Sequence, residues 1–183
     1  TIGSWQDTHR RWVCTGEDPY MTYRYAGIAA HIAYLLEQND LEDPENVDWE
    51  AEALAAYSWA RQNTQAIDFE LFGTPISHMQ LFAAANLYRL TGDGAIHQQF
   101  LDWFRPLPNN PDLTPELTFA LLTYAATENQ SINNNVQQEA QQILLTEADF
   151  IMEFARDDRA CRRGGNIRMP MLDGQGTTPM VIP

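Results

Sequence analysis

The sequence predicts an all-α fold of successive αα-hairpins arranged in an inner and an outer layer. Three observations predict it. Helix-start signals recur along the chain, each followed by an apolar stretch of helical length. The stretches alternate between ones with almost no polar side and ones with a clear polar stripe. No segment shows the two-residue alternation of a half-buried strand. With 183 residues, 44% of them hydrophobic, the chain can bury a sizeable core, as one domain or as a large part of a bigger one.

Residues 1–17 are rich in Trp, Arg and His and read as loop. Asp18 then caps a helix whose first position is Pro19, where a missing N–H costs nothing. That helix, Tyr20 to about Leu36, has only Thr22, Arg24 and His31 as clearly polar residues. A helix without a polar face is expected to be surrounded by protein. Residues 37–50 hold seven acids and no base and form a solvated turn, with a new cap at Asp48. The second helix, Trp49 to about Gln62, sets Glu50, Glu52, Ser58 and Arg61 against Leu54, Ala55 and Trp59, giving it one wet side.

After a loop from Asn63 to Gly73, Thr74 and Pro75 repeat the cap-plus-proline start. The third helix, Ile76 to Leu90, again lacks a continuous polar face. Gly92 suits the left-handed position that ends a helix, and Asp93 can cap the next one at once. The fourth helix, Ala95 to Phe104, puts Ile96, Phe100, Leu101 and Phe104 on one side and Gln98, Gln99 and Asp102 on the other. Pro106, Pro108 and Pro111 make a rigid link to a second Thr-Pro start at Thr114 and Pro115. The fifth helix, Glu116 to Ala126, is apolar nearly all round. The last, Val136 to about Arg156, carries a stripe of Val136, Ala140, Ile143, Leu144, Ile151 and Phe154 opposite several glutamines. The end of the chain, 159–183, is rich in Gly and Pro and reads as loop.

Odd-numbered helices without a wet side and even-numbered helices with one imply two layers, since a six-helix bundle would make all six amphipathic. Starts of the inner helices recur at about 40–55 residues, longer than tetratricopeptide spacing. A solenoid and a closed toroid both fit. Three hairpins in an arc leave the ends of the inner layer open, so burial all round calls for more hairpins. Residues 1–183 are therefore read as a single partial domain.

The formal charge is −14, from 25 acids and 11 bases, which repels phosphate backbones and argues against nucleic acid and anionic membrane surfaces as partners. The most apolar run, Met21 to Leu36, is short and interrupted by Arg24 and His31, so no membrane span is expected. Cys14 and Cys161 are the only cysteines; they could form one bridge or stay unpaired. Cys-x-x-Cys and His-Glu-x-x-His motifs are absent. Asp157-Asp158 does not open an Asp-Asp-x-x-Asp motif, because Cys161 holds the fifth position. No cofactor is expected. Calcium is the one ion the acidic stretch 37–50 could hold loosely, but it lacks the central glycine and ligand spacing of an EF-hand. His31 and His78 lie on inner helices and read more readily as hydrogen-bonded core histidines than as lumen residues.

Several of these segments together resemble the middle of the glycoside hydrolase family 9 catalytic domain. They are YAGIAAHIAYLL (Tyr25 to Leu36), AEALAAYSWA in the second helix, and AAANLYRLTGD (Ala83 to Asp93). The order of the remainder agrees: a Pro-rich link, a Phe-Ala-Leu-Leu helix, a long helix and a Gly-rich end. The resemblance covers roughly residues 20–160. It implies an (α/α)6 barrel that hydrolyses β-1,4-glucan with inversion. One carboxylic acid would protonate the leaving oxygen while a second carboxylate activates water across the ring. The Asp-Ala-Gly-Asp motif that carries the family's base does not occur here, nor does its later His-Arg loop, and the chain stops before the family's acid. No catalytic residue carries over, and both catalytic carboxylates are expected outside this chain.

Trp12 to Asp18 (WVCTGED) resembles the family's Trp-x-x-Pro-Glu-Asp stretch beside the cleft, with Gly16 in place of Pro. The resemblance makes Trp12 a candidate to stack on a sugar, and Glu17 and Asp18 candidates to accept hydroxyl hydrogen bonds. Tyr20, at the start of an inner helix, is a candidate cleft residue. The plainer reading makes Asp18 a helix cap and Trp12 and Tyr20 packing residues. The expected partner is a polysaccharide or oligosaccharide, and the acidic, Gln- and Asn-rich composition suits a secreted or periplasmic protein. The alternatives are a non-catalytic helical-hairpin scaffold that presents a binding surface, and another sugar-active helical barrel such as an epimerase or an unsaturated-uronyl hydrolase.

Overall fold

The computed structural model describes residues 18–64, 70–71, 74–129 and 131–157. Among them are six helices: α1 (Pro19–Gln38), α2 (Trp49–Asn63), α3 (Ile76–Thr91), α4 (Gly94–Phe104), α5 (Pro115–Ala125) and α6 (Asn134–Asp157). The class is all-α. One antiparallel pair of two-residue strands, β1 (Glu70–Leu71) and β2 (Thr74–Pro75), precedes α3; no alternation in the sequence announces it.

Most helix starts follow from the residue just before them. Asp18 accepts the Met21 N–H at 2.8 Å with Pro19 at the first position of α1, and Asp48 accepts the Ala51 N–H at 3.0 Å. Asp93 takes the N–H groups of Ala95 and Ile96, and Thr114 that of Leu117 at 3.3 Å. The Asn133 carboxamide oxygen accepts from Asn135 and Val136 at the start of α6. Each satisfies N–H groups that a helix cannot satisfy within itself. Gly92 ends α3 in the left-handed conformation at φ 68°. One expected cap is corrected. Thr74 and Pro75 form strand β2, Pro75 stands at the N-cap position of α3, and that helix has no side-chain cap. The Thr74 side chain hydrogen-bonds Tyr20 of α1.

The helices pack as hairpins with a continuous inner row. α1 packs on α2 and on α3, α3 on α4 and on α5, and α5 on α6. The row α1–α3–α5 is thus one layer, and each even helix rests on its own hairpin partner. The core centres on α3, where every residue from His78 to Tyr88 except Phe82 is buried. Two aromatic groups fill the interior. Tyr23, Tyr57 and Trp103 meet edge to face, joining α1, α2 and α4. Tyr88, His97, Tyr124 and Phe100 stack, with Tyr88 and His97 centroids 4.1 Å apart and Phe100 and Tyr124 4.2 Å apart.

Burial all round, expected of the three apolar helices, holds for α3 and is corrected for its neighbours. α1 leaves Met21, Tyr25, Ile28 and Leu35 exposed, and α5 leaves Phe119 and Leu122 exposed. The reason is position: α3 has an inner helix on each side, whereas the described residues supply α1 and α5 with one inner neighbour each. Beside the free face of α5 runs an apolar groove of about 660 Å³ between α5 and α6, lined by Phe119, Leu122, Leu144, Leu145 and Ile151 among others. No helix among the described residues is long and apolar enough to cross a membrane.

Candidate functional site

Successive hairpins make the inner helices parallel, so their starts gather at one end of the layer. There the polar side chains of three helices meet. Tyr20, 4% exposed, hydrogen-bonds Thr74 beside the start of α3. Burial pushes its hydroxyl above the ordinary tyrosine range, against the opposing effect of the Thr74 hydrogen bond. His78, 6% exposed on the first turn of α3, places Nδ1 2.9 Å from the Thr114 hydroxyl that caps α5. Burial holds the His78 imidazole below its usual range, and the nearby acids Glu116 and Asp112 offset only part of this.

Arg24 of α1 reaches past the start of α3 to Glu116 in the first turn of α5, Nε to Oε1 at 3.3 Å. The Glu116 side chain is 13% exposed and that of Arg24 47%. Glu116 lies where the α5 N-terminus favours a negative charge, and the guanidinium adds a charged partner. This contact joins the first and third members of the inner row across the start of the second.

Two of the four residues singled out from the sequence fall in this cluster, Asp18 and Tyr20. The Asp18 carboxylate is engaged as the α1 cap, and the Tyr20 hydroxyl by Thr74. Trp12 and Glu17 lie outside the described residues, as do Cys14 and Cys161. Arg24, Thr74, His78, Thr114 and Glu116 complete the cluster and were not anticipated as site residues. One signal could have found two of them: Arg24 is the only Lys or Arg of α1, and Glu116 is the only charged residue of α5. A charge within a largely apolar stretch of helix needs a partner.

Chemically the cluster offers hydrogen-bond donors and acceptors. The Thr114 hydroxyl next to His78 also serves as the α5 cap, accepting the Leu117 N–H. Among the described residues no three His, Cys, Asp or Glu side chains converge as a metal site. In the acidic turn, Asp43 accepts the Trp49 indole N–H and the Glu45 N–H.

The opposite end of the inner layer carries a second polar group. The Arg89 guanidinium lies 4.0 Å over the Tyr34 ring and donates to Asn86 and to His31 Nδ1. Since arginine only donates, His31 is there the neutral tautomer with its proton on Nε2. Burial and the Arg89 charge both lower its pKa. Both inner-helix histidines are thus hydrogen-bonded within the fold.

No family model, no curated protein and no solved structure matches the chain.

Proposed function

We propose that this chain is an arc of an (α/α)6 barrel from an inverting glycoside hydrolase acting on β-1,4-glucan, cellulose or cello-oligosaccharides. Its polar end at Tyr20, Arg24, His78 and Glu116 would border the substrate cleft. The observation that supports this reading is the inner row α1–α3–α5, spanned at its polar end by the Arg24–Glu116 contact. The apolar faces left open on α1 and α5 are where further hairpins of a ring would pack. Half-buried charged and hydroxyl side chains at one end of the layer suit a neutral, hydroxyl-rich ligand, which needs many oriented hydrogen bonds. On this reading the catalytic carboxylates lie outside the 183 residues, the protein is secreted or periplasmic, and no cofactor takes part.

Two measurements on the 183-residue protein test it. Calorimetric titration with cellohexaose is expected to show weak saturable binding that falls in Arg24→Ala. Release of reducing ends from carboxymethyl cellulose is expected to stay at background. Turnover by the chain alone would overturn the placement of the carboxylates. Absence of any glucan binding would remove the substrate assignment and favour a scaffold without a sugar ligand.

A further inference from the structure

A hollow of about 360 Å³ lies between α1 and α2, lined by Thr22, Glu52, Ala55, Ala56 and Trp59. Its composition differs from the apolar groove on α5 and α6. Ala55 and Ala56, one helical turn before Trp59, leave space where larger side chains would fill the hairpin seam. Trp59 forms a wall: its ring packs partly on the core, and its indole N–H has no partner among the described residues. On the other side, Glu52 accepts the Tyr25 hydroxyl through Oε2 at 3.2 Å, which leaves Oε1 open as an acceptor. The Thr22 hydroxyl donates to the Asp18 carbonyl at 2.7 Å and keeps oxygen lone pairs free.

We infer that this hollow is a second glycan contact, which takes one neutral hexose unit of the polysaccharide outside the catalytic cleft. The ring's C–H face packs on the Trp59 indole, while its hydroxyls donate to Glu52 and Thr22 and accept from the Trp59 N–H. The size fits a single sugar unit, at the small end of the roughly 300–1,000 Å³ typical of small-molecule sites. The charge pattern selects neutral sugars: Glu52 and the net charge of −14 repel uronic acids and sulfated glycans. The ligand class rests on the glucan reading above; the location does not, since this seam is separate from the Arg24–Glu116 end.

The test follows the Trp59 indole N–H signal by heteronuclear NMR, identified by its loss in Trp59→Phe, during titration of the 183-residue protein with cellotetraose. The expected result is a saturable shift of that signal, with affinity at this site weakened at least about fivefold, near 1 kcal/mol, in Glu52→Ala. Glu52 is exposed, so that variant keeps the fold, and its thermal midpoint serves as the check. Cellotetraose that shifts other signals and leaves Trp59 unmoved overturns the inference and leaves the glucan reading standing. No shift anywhere overturns both. A shift with tetramethylammonium in place of the sugar also overturns it, because an indole beside a carboxylate would then be serving as a cation site.

Discussion

Phe82 of α3 occupies the space that Gly27 of α1 leaves by having no side chain. A Cβ built on Gly27 would stand 2.5 Å from two carbons of the Phe82 ring and 3.3 Å from the Ala83 Cα. The two inner helices therefore approach each other at a point where only glycine fits. Gly27→Ala is expected to destabilise by about 1 kcal/mol: overpacking costs about 1–3 kcal/mol, and the better helix propensity of alanine returns up to about 1 kcal/mol. Urea unfolding followed by circular dichroism measures this. A stabilised variant would show that Phe82 swings away freely.

The two Thr-Pro dipeptides should respond differently to the same change. Thr114→Ala removes the α5 cap and the partner of His78 and is expected to cost about 1–2 kcal/mol. In Thr74→Ala no cap is lost; the loss is the Tyr20 hydrogen bond, worth about 0.5–1.5 kcal/mol. The signature lies in the coupling. Thr74→Ala combined with Tyr20→Phe should be less than additive, whereas Thr114→Ala and Tyr20→Phe should add. Equal coupling in the two pairs would contradict the assignment.

Stability should fall in mild acid. Burial lowers the pKa of His78 and His97, and burial together with Arg89 lowers that of His31. Each histidine binds a proton more readily in the unfolded chain, near its ordinary pKa of about 6.5. The folded state therefore keeps full stability above that value and loses it as pH falls below 6.5 and through the lowered folded-state pKa. At the alkaline end the sign reverses. Tyr124, pushed up to about 12 by burial, holds its proton longer when folded, so stability declines as pH rises from about 10 through 12. Thermal midpoints between pH 5 and 8 check the first arm, and a flat profile there would exclude it.

The open apolar faces should matter for association rather than for folding. Phe119 and Leu122 project from α5 without cover among the described residues. Replacing both with Gln is expected to change unfolding free energy by no more than about 0.5 kcal/mol per site, as for exposed positions generally. The same change should reduce concentration-dependent self-association seen by light scattering, since exposed apolar patches promote sticking. A large loss of stability would show that the face is buried in the protein.

Much of the fold was legible because its signals are local. Asp18, Asp48, Asp93, Gly92 and Thr114 act on N–H or C=O groups within a few residues of themselves, and a sequence displays such neighbourhoods directly. Layering was legible too, since burial of one helix and wetting of the next leave different residue patterns. The polar end of the inner row was mostly hidden. Arg24 and Glu116 are brought together by the packing of three helices side by side, and His78 meets Thr114 by a hydrogen bond; no spacing rule encodes either. The exposed faces of α1 and α5 were hidden for a related reason. An apolar helix announces that it seeks cover, and only the assembled layer shows which side lacks it.

The engagement of Thr74 by Tyr20 has a consequence for the order of events during folding. α5 carries its own starting signal and can begin to form before any distant segment arrives. α3, the most buried helix, has no such signal; its start is held by distant segments, through the short strand pair, through Tyr20 of α1 and through the His78 bond to Thr114. The centre of the molecule should thus be the last inner helix to become fixed at its N-terminal end. Kinetic analysis of Thr74→Ala and Thr114→Ala tests this: the change at Thr74 should act mainly on the unfolding rate and the change at Thr114 on the folding rate. The reverse pattern would show that α3 leads.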